Sequence, residues 1–215
     1  MGKFKSLIYF NKRTGNVVGR KGYNGYITAQ YQPVVANPRT VGQMTTRTHL
    51  KVLTQGMSPL KIWIRIHVPH ANMSAWTQFI KNNWTLGITG SYPNFSIAYN
   101  NLDLTGANDL DLPFNPSASI DSGSLQVSWS DNSGLGNANS DDKMCFLMFN
   151  PAKNQVIFQD GVAVRSARNG QMNVPTAWTG DAAETYLYVM AGETAKETIG
   201  YKAMSKSFYL GSLTI

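Results

Sequence analysis

SLQVSWS, residues 124–130, alternates without a break. Leu125, Val127 and Trp129 fall on one side of an extended chain, and Ser124, Gln126, Ser128 and Ser130 on the other, because successive strand side chains point to opposite faces. The stretch is therefore a strand with one buried face and one wet face. Downstream, KMCFLMFN (143–150), NQVIFQ (154–159), GVAVR (161–165), QMNVP (171–175), ETYLYVMAG (184–192) and SFYLGSLTI (207–215) are further short apolar runs, each bounded by Gly, Asn, Asp or Pro. About seven short strands in roughly a hundred residues predict an immunoglobulin-like or fibronectin-like β-sandwich over 118–215.

Upstream of that block the pattern changes. DLPFNPSASID (111–121) is polar and Pro-containing and reads as a boundary near residue 117, with a strand-like SIAYNNLDL (96–104) before it. Residues 37–117 read as a helical segment and linker. Pro38 suits a first helical turn, and Met44, Leu50, Val52, Leu53 and Met57 recur at helical intervals until Gly56 and Pro59 break the run. IWIRIHV (62–68) fits either a helix or a strand. ANMSAWTQFIKNNW (71–84) puts Met73, Trp76, Phe79 and Ile80 on one helical face. Residues 1–36 give short extended pieces, LIYF, NVVG and YITAQYQPVV, separated by the turn-formers NKRTG and GRKGYNG. These strands are too short and polar to build a core alone, so the arm is expected to add to another sheet or another subunit. The predicted class is α+β, mostly β: a short basic β arm, a small helical segment, then the sandwich.

Charge divides the chain differently. Of nineteen Lys and Arg, twelve lie in residues 1–102, whereas all twelve Asp and Glu lie from Asp103 onward, so the net +7 is a strongly basic half joined to an acidic one. Ordinary surfaces mix signs, and a one-sign half implies a partner that supplies the other. Lys12, Arg13, Arg20, Lys21, Arg39 and Arg47 are the expected contact residues, with the loops at 131–142 and 166–170 as second-choice recognition surfaces. Phe4, Tyr9, Phe10, Tyr23, Tyr26 and Tyr31, interleaved with cations, also suit phosphate contact with base stacking, which keeps nucleic acid as a rival partner.

Catalytic and metal chemistry find little purchase. His49, His67 and His70 have no carboxylate nearby in sequence, so neither a metal nor a cofactor is expected. Gly15 and Gly19 are separated by three residues, not the four of a phosphate loop. DNSGLGNANSDD loosely matches a calcium loop with Asp131 first and Asp142 twelfth, but Leu135 sits where an oxygen ligand is needed and the last residue is not Glu. No Ser, His and carboxylate arrangement stands out, so an enzyme is not expected. Cys145, the one cysteine, lies within MCFLMF as a buried small hydrophobe. MGKFKS fits a myristoylation pattern that a basic amino terminus explains equally well. With no secretory leader and no apolar run of membrane length, the chain is expected to be made in a reducing cytoplasm. Trp178 in PTAWTGD, or Tyr209, would serve a carbohydrate-binding module if exposed.

Several blocks carry a resemblance: the opening MGK, GNVVG, NPRT followed by Gln43 and Arg47, WSDNSGLGNANSDDKMCFLMFNPAKNQVIF, VPTAWTGD, ETYLYVMA and a closing YLG. Together these resemble an uncharacterised domain-of-unknown-function family common in Bacteroides-type gut bacteria and their phages. The resemblance brings no catalytic residue or cofactor. It implies a virion component such as an auxiliary capsid, head-fibre or decoration protein, homo-oligomeric or bound to capsid protein, with no membrane partner.

Overall fold

The structure, a computed structural model, describes residues 13–14, 17–21, 27–31, 37, 39–69, 73–192 and 203–215. The chain divides into two compact units, Met1–Val41 and Gly42–Ile215.

In the first unit, β1 (Arg13–Thr14), β2 (Val17–Lys21) and β3 (Ile27–Tyr31) form an antiparallel sheet in that order. Arg20 pairs with Thr28 and Lys21 with Ile27, so these two cations stand on a strand where the sequence suggested a turn. The segment's described strands pair with one another. LIYF lies outside the described residues.

Three helices open the second unit. The first, α1 (Val41–Gly56), starts after Pro38, with Arg39 in left-handed backbone at φ 46°. Of the periodic residues only Leu53 and, just beyond the helix, Met57 are fully buried; Leu50 is exposed. IWIRIHV is helical: α2 (Lys61–His67) buries Trp63, Ile64 and His67. The third helix, α3 (Ala75–Asn82), buries Ala75 and Phe79, with Trp76 and Ile80 packed beside them and Met73 exposed. Ser74 caps it, its hydroxyl accepting from the Thr77 amide at 3.2 Å. Ser74→Ala is expected to lower stability by about 1 kcal/mol in urea unfolding, the usual worth of such a cap.

A hairpin of β4 (Ile88–Ser91) and β5 (Asn94–Ile97) follows. SIAYNNLDL is thus only partly strand, because Tyr99–Asn101 closes into a 3₁₀ turn. DLPFNPSASID is not a boundary loop. From Phe114 to Asp121 it is β6, and Ala118 and Ile120 pair opposite Val127 and Leu125 of β7 (Ser124–Ser130). Pro116 is accommodated where the register slips between Phe114 and Ser117 on this edge strand, one of the few places in a sheet that tolerates a missing amide. The two strands turn on Ser122 and Gly123, both at positive φ (48° and 76°), as a two-residue hairpin requires.

The remaining strands are β8 (Lys143–Asn150), β9 (Gln155–Val164), β10 (Asn169–Asn173), β11 (Ala182–Met190) and β12 (Phe208–Thr214). They complete two antiparallel sheets, ordered β10-β7-β6 and β12-β11-β8-β9. Leu125, Val127 and Trp129 of β7 and Met172 of β10 share one core with Met144, Phe146 and Met148 of β8 and Leu187 and Val189 of β11. A second core lies on the other face of the four-stranded sheet. There Cys145, Leu147 and Phe149 of β8 and Tyr186 and Tyr188 of β11 meet Leu53, Met57, Trp63, Ile64 and Phe79 from the helices. This explains the unbroken apolar run of MCFLMF: a strand covered on both faces has no wet side to alternate with. The protein is thus a mixed α+β, mostly strand, with three helices followed by several antiparallel sheets.

Candidate functional site

Of the six cations expected at the contact surface, Lys12 lies outside the described residues. Arg13 is on β1, Arg20 and Lys21 are on β2, and Arg39 precedes α1. Arg47 is exposed on α1, one turn before exposed Lys51. Lys61 and Arg65 repeat this four-residue spacing on α2, beside Ile62 and Ile66, which are 70% and 65% exposed. None of the three helices contains an Asp or Glu, so these faces carry one sign of charge.

The calcium-like loop is organised by a different cation. Arg165, fully buried after β9, donates from Nη1 to Asn132 Oδ1 (2.7 Å), from Nη2 to the Asp111 carbonyl (2.7 Å) and Asp142 Oδ2 (2.9 Å), and from Nε to the Asn139 carbonyl (3.2 Å) and Asp142 Oδ2 (3.2 Å). The guanidinium therefore does the gathering that a metal would do, and its planar fork suits several fixed acceptors at once. Asn137 ties the loop to Asp111 and Asp109, and Gly134 closes back on the Ala138 carbonyl. The loop's tip, Leu135, remains exposed. Nothing in the sequence marks Arg165 off from a surface arginine; burial alone reveals it.

A polar cluster also links α2 to the sheet. The buried His67 ring places Nδ1 2.9 Å from the Trp63 carbonyl and Nε2 2.9 Å from Asp160 Oδ2. Tyr188 donates its hydroxyl to Asp160 Oδ1, and Trp63 Nε1 donates to that hydroxyl at 3.1 Å. Cys145 pairs across the sheet with Tyr188; its Sγ accepts from the Gly161 amide, and burial pushes the thiol up to about 12. A thiol this reluctant to ionise is a poor nucleophile, and both ring nitrogens of His67 are occupied by oxygen. The cluster clamps the helix to the sheet.

Trp178, the first aromatic considered for carbohydrate, is 1% exposed, with Nε1 donating to Gln155 Oε1 at 2.9 Å. That removes it as a platform. Tyr209 is half-buried and lines an open cleft of about 460 Å³ together with Thr89, Tyr99, Asn100, Asn101 and Glu184. The hairpin β4–β5, the turn at 99–101 and strands β11 and β12 supply its walls. Tyr186 donates to the Tyr99 carbonyl at 2.8 Å, fixing that turn on the sheet, and Tyr209 donates to Glu184 Oε2 at 2.5 Å. Burial first, and then the Glu184 charge, raises the Tyr99 phenol; burial and the Glu184 hydrogen bond raise that of Tyr209. Sequence reasoning missed this cleft because Tyr99, Glu184 and Tyr209 come from three distant stretches.

Among the described residues no group of three or more His, Cys, Asp or Glu could hold a metal ion, and no described helix is long and apolar enough to cross a membrane. No curated protein and no solved structure matches the chain. A family model does: it spans residues 9–211, from the first apolar run of the amino-terminal segment to β12, and the chain belongs to that family, DUF6266, a family of unknown function.

Proposed function

We propose that this protein is a non-enzymatic structural component of a phage particle that docks through its basic, acid-free amino-terminal half. The observation that carries the reading is the segregation of charge: twelve cations and no acid in residues 1–102, and all twelve acids beyond. The exposed Arg47, Lys51, Lys61 and Arg65 on acid-free helices add to it, since a surface of one sign attracts its complement and repels its like. The resemblance to a family found in gut bacteria and their phages supports a virion component, whether auxiliary capsid, head fibre or decoration. We also infer that the strand-rich remainder is a fibronectin-like sandwich. The strand order supports this: the first, second and fifth strands make one sheet and the third, fourth, sixth and seventh the other, with the fourth on the third where an immunoglobulin constant domain has it beside the fifth.

Light-scattering chromatography of the full chain and of a chain lacking residues 1–36, at low and high salt, tests the docking. Gly42–Ile215 has its own cores, so the shorter chain is expected to stay folded. A defined oligomer free of nucleic acid that falls to monomer without the arm is the expected result. A salt-sensitive nucleic-acid peak that disappears with the arm would make phosphate the partner instead.

A further inference from the structure

Glu184 is a carboxylate on the wall of the cleft described above. Asp142 is paired with Arg165, Asp181 with Lys153 at 2.7 Å and Asp160 with His67, but among the described residues Glu184 is met only by the neutral Tyr209 hydroxyl. It is half-buried, and among the described residues no Lys, Arg or His lines its cleft. A partly desolvated charge with no counter-ion favours a ligand that supplies one. An anion would be repelled by Glu184. A metal ion needs several oxygen ligands, and the cleft offers a single carboxylate. A neutral polyol would leave the charge uncompensated. An organic cation answers all three points, because the Glu184 carboxylate offers it a counter-charge and Tyr99 and Tyr209, which line the same cleft, are aromatic groups of the kind that attract a positive charge.

We infer that the Glu184–Tyr99–Tyr209 cleft receives an arginine or lysine side chain from the acid-free half of a second copy of this chain. The inference rests on the docking proposed above and names the surface that accepts it. The volume, about 460 Å³, accommodates a long cationic side chain with its neighbours, and the Asn100, Asn101 and Thr89 side chains at the rim suit the backbone that carries it. The pairing is weak alone, and the several cations on one arm raise the effective concentration of a side chain that fits the single cleft.

Masses of the full-length wild type, Glu184→Gln and Asn101→Lys are measured by light scattering at low salt across a dilution series, with a thermal melt of each. Both substitutions are expected to weaken self-association by about tenfold, the first by removing the carboxylate and the second by setting a fixed cation at the exposed rim without touching the core. A synthetic peptide of residues 1–21, with six Lys and Arg, is expected to dissociate the wild-type oligomer, and the same peptide with Gln at those six positions is not. A folded Glu184→Gln or Asn101→Lys that associates like the wild type overturns the inference, as does dissociation by cellobiose with none by the peptide. If deletion of residues 1–36 abolishes the oligomer while both variants keep it, the docking stands and this cleft is not its acceptor. If no chain associates at all, both fail together.

Discussion

Arg165→Met is expected to lower the unfolding free energy by about 3–5 kcal/mol, the cost of leaving a buried ionised partner uncompensated. Asp142 is fully buried, and among the described residues its Oδ1 has no hydrogen-bond partner, so the guanidinium is what balances its charge. Removal also strips acceptors at Asn132, Asn139 and Asp111 of their donors. Because those acceptors span the loop from β7 to β8 and the segment before β6, the damage is regional. The companion variant Arg165→Met with Asp142→Leu takes away both charges and is expected to recover most of the loss, since apolar replacement of a whole buried pair is often neutral. Urea unfolding of the two variants decides the matter. A single variant within about 1 kcal/mol of wild type would mean the loop does not depend on the pair.

Stability is also expected to fall steeply above pH about 10. Tyr186 and Tyr188 are both fully buried, and burial raises each phenol far above its ordinary value; nearby Glu184 adds to this for Tyr186, Cys145 and Asp160 for Tyr188. A raised folded pKa means that the folded chain keeps a proton which the unfolded chain releases near pH 10. Its stabilising contribution is whole below that pH and declines as the pH climbs past it, by about 1.4 kcal/mol per pH unit for each tyrosine. Cys145, whose thiol is held up to about 12, acts in the same direction from about pH 9. Urea midpoints measured from pH 8.5 to 11.5 are expected to drop, and Tyr188→Phe, although less stable at neutral pH through the loss of its Asp160 and Trp63 hydrogen bonds, is expected to drop less steeply. Parallel slopes for wild type and variant would show that the Tyr188 hydroxyl is not buried in solution.

What the sequence made legible follows from which signals are local. The alternation of SLQVSWS and the unbroken apolar run of KMCFLMFN are properties of a few consecutive residues, and both are strands as expected. β6 was hidden because Pro113, Asn115 and Pro116 are punctuation residues, and only the partner strand shows that a bulge absorbs them. IWIRIHV was ambiguous because a short helix buried on one side and exposing Ile62 and Ile66 on the other has little periodicity to show. Arg165, the His67 clamp and the Glu184 cleft were all invisible for a shared reason: each joins residues far apart in sequence, and a side chain's type does not announce its burial.

One strand, β8, is the wall of two cores at once, with Met144, Phe146 and Met148 facing one and Cys145, Leu147 and Phe149 the other. A slip of one residue would hand each core the other's set. Met144, Phe146 and Met148 would enter the space shaped for a thiol, a leucine and a phenyl ring, and the Cys145 thiol would be left where an aromatic ring or a methionine packs. The strand therefore cannot lengthen or shorten by a single residue without upsetting both sides, whereas the turn at 151–154 is free of that double constraint. Over evolutionary time, insertions and deletions around β8 should gather in the turn at 151–154 rather than in the Arg165-bound loop before it, with the strand itself acting as a fixed ruler against which helices and sheets are measured.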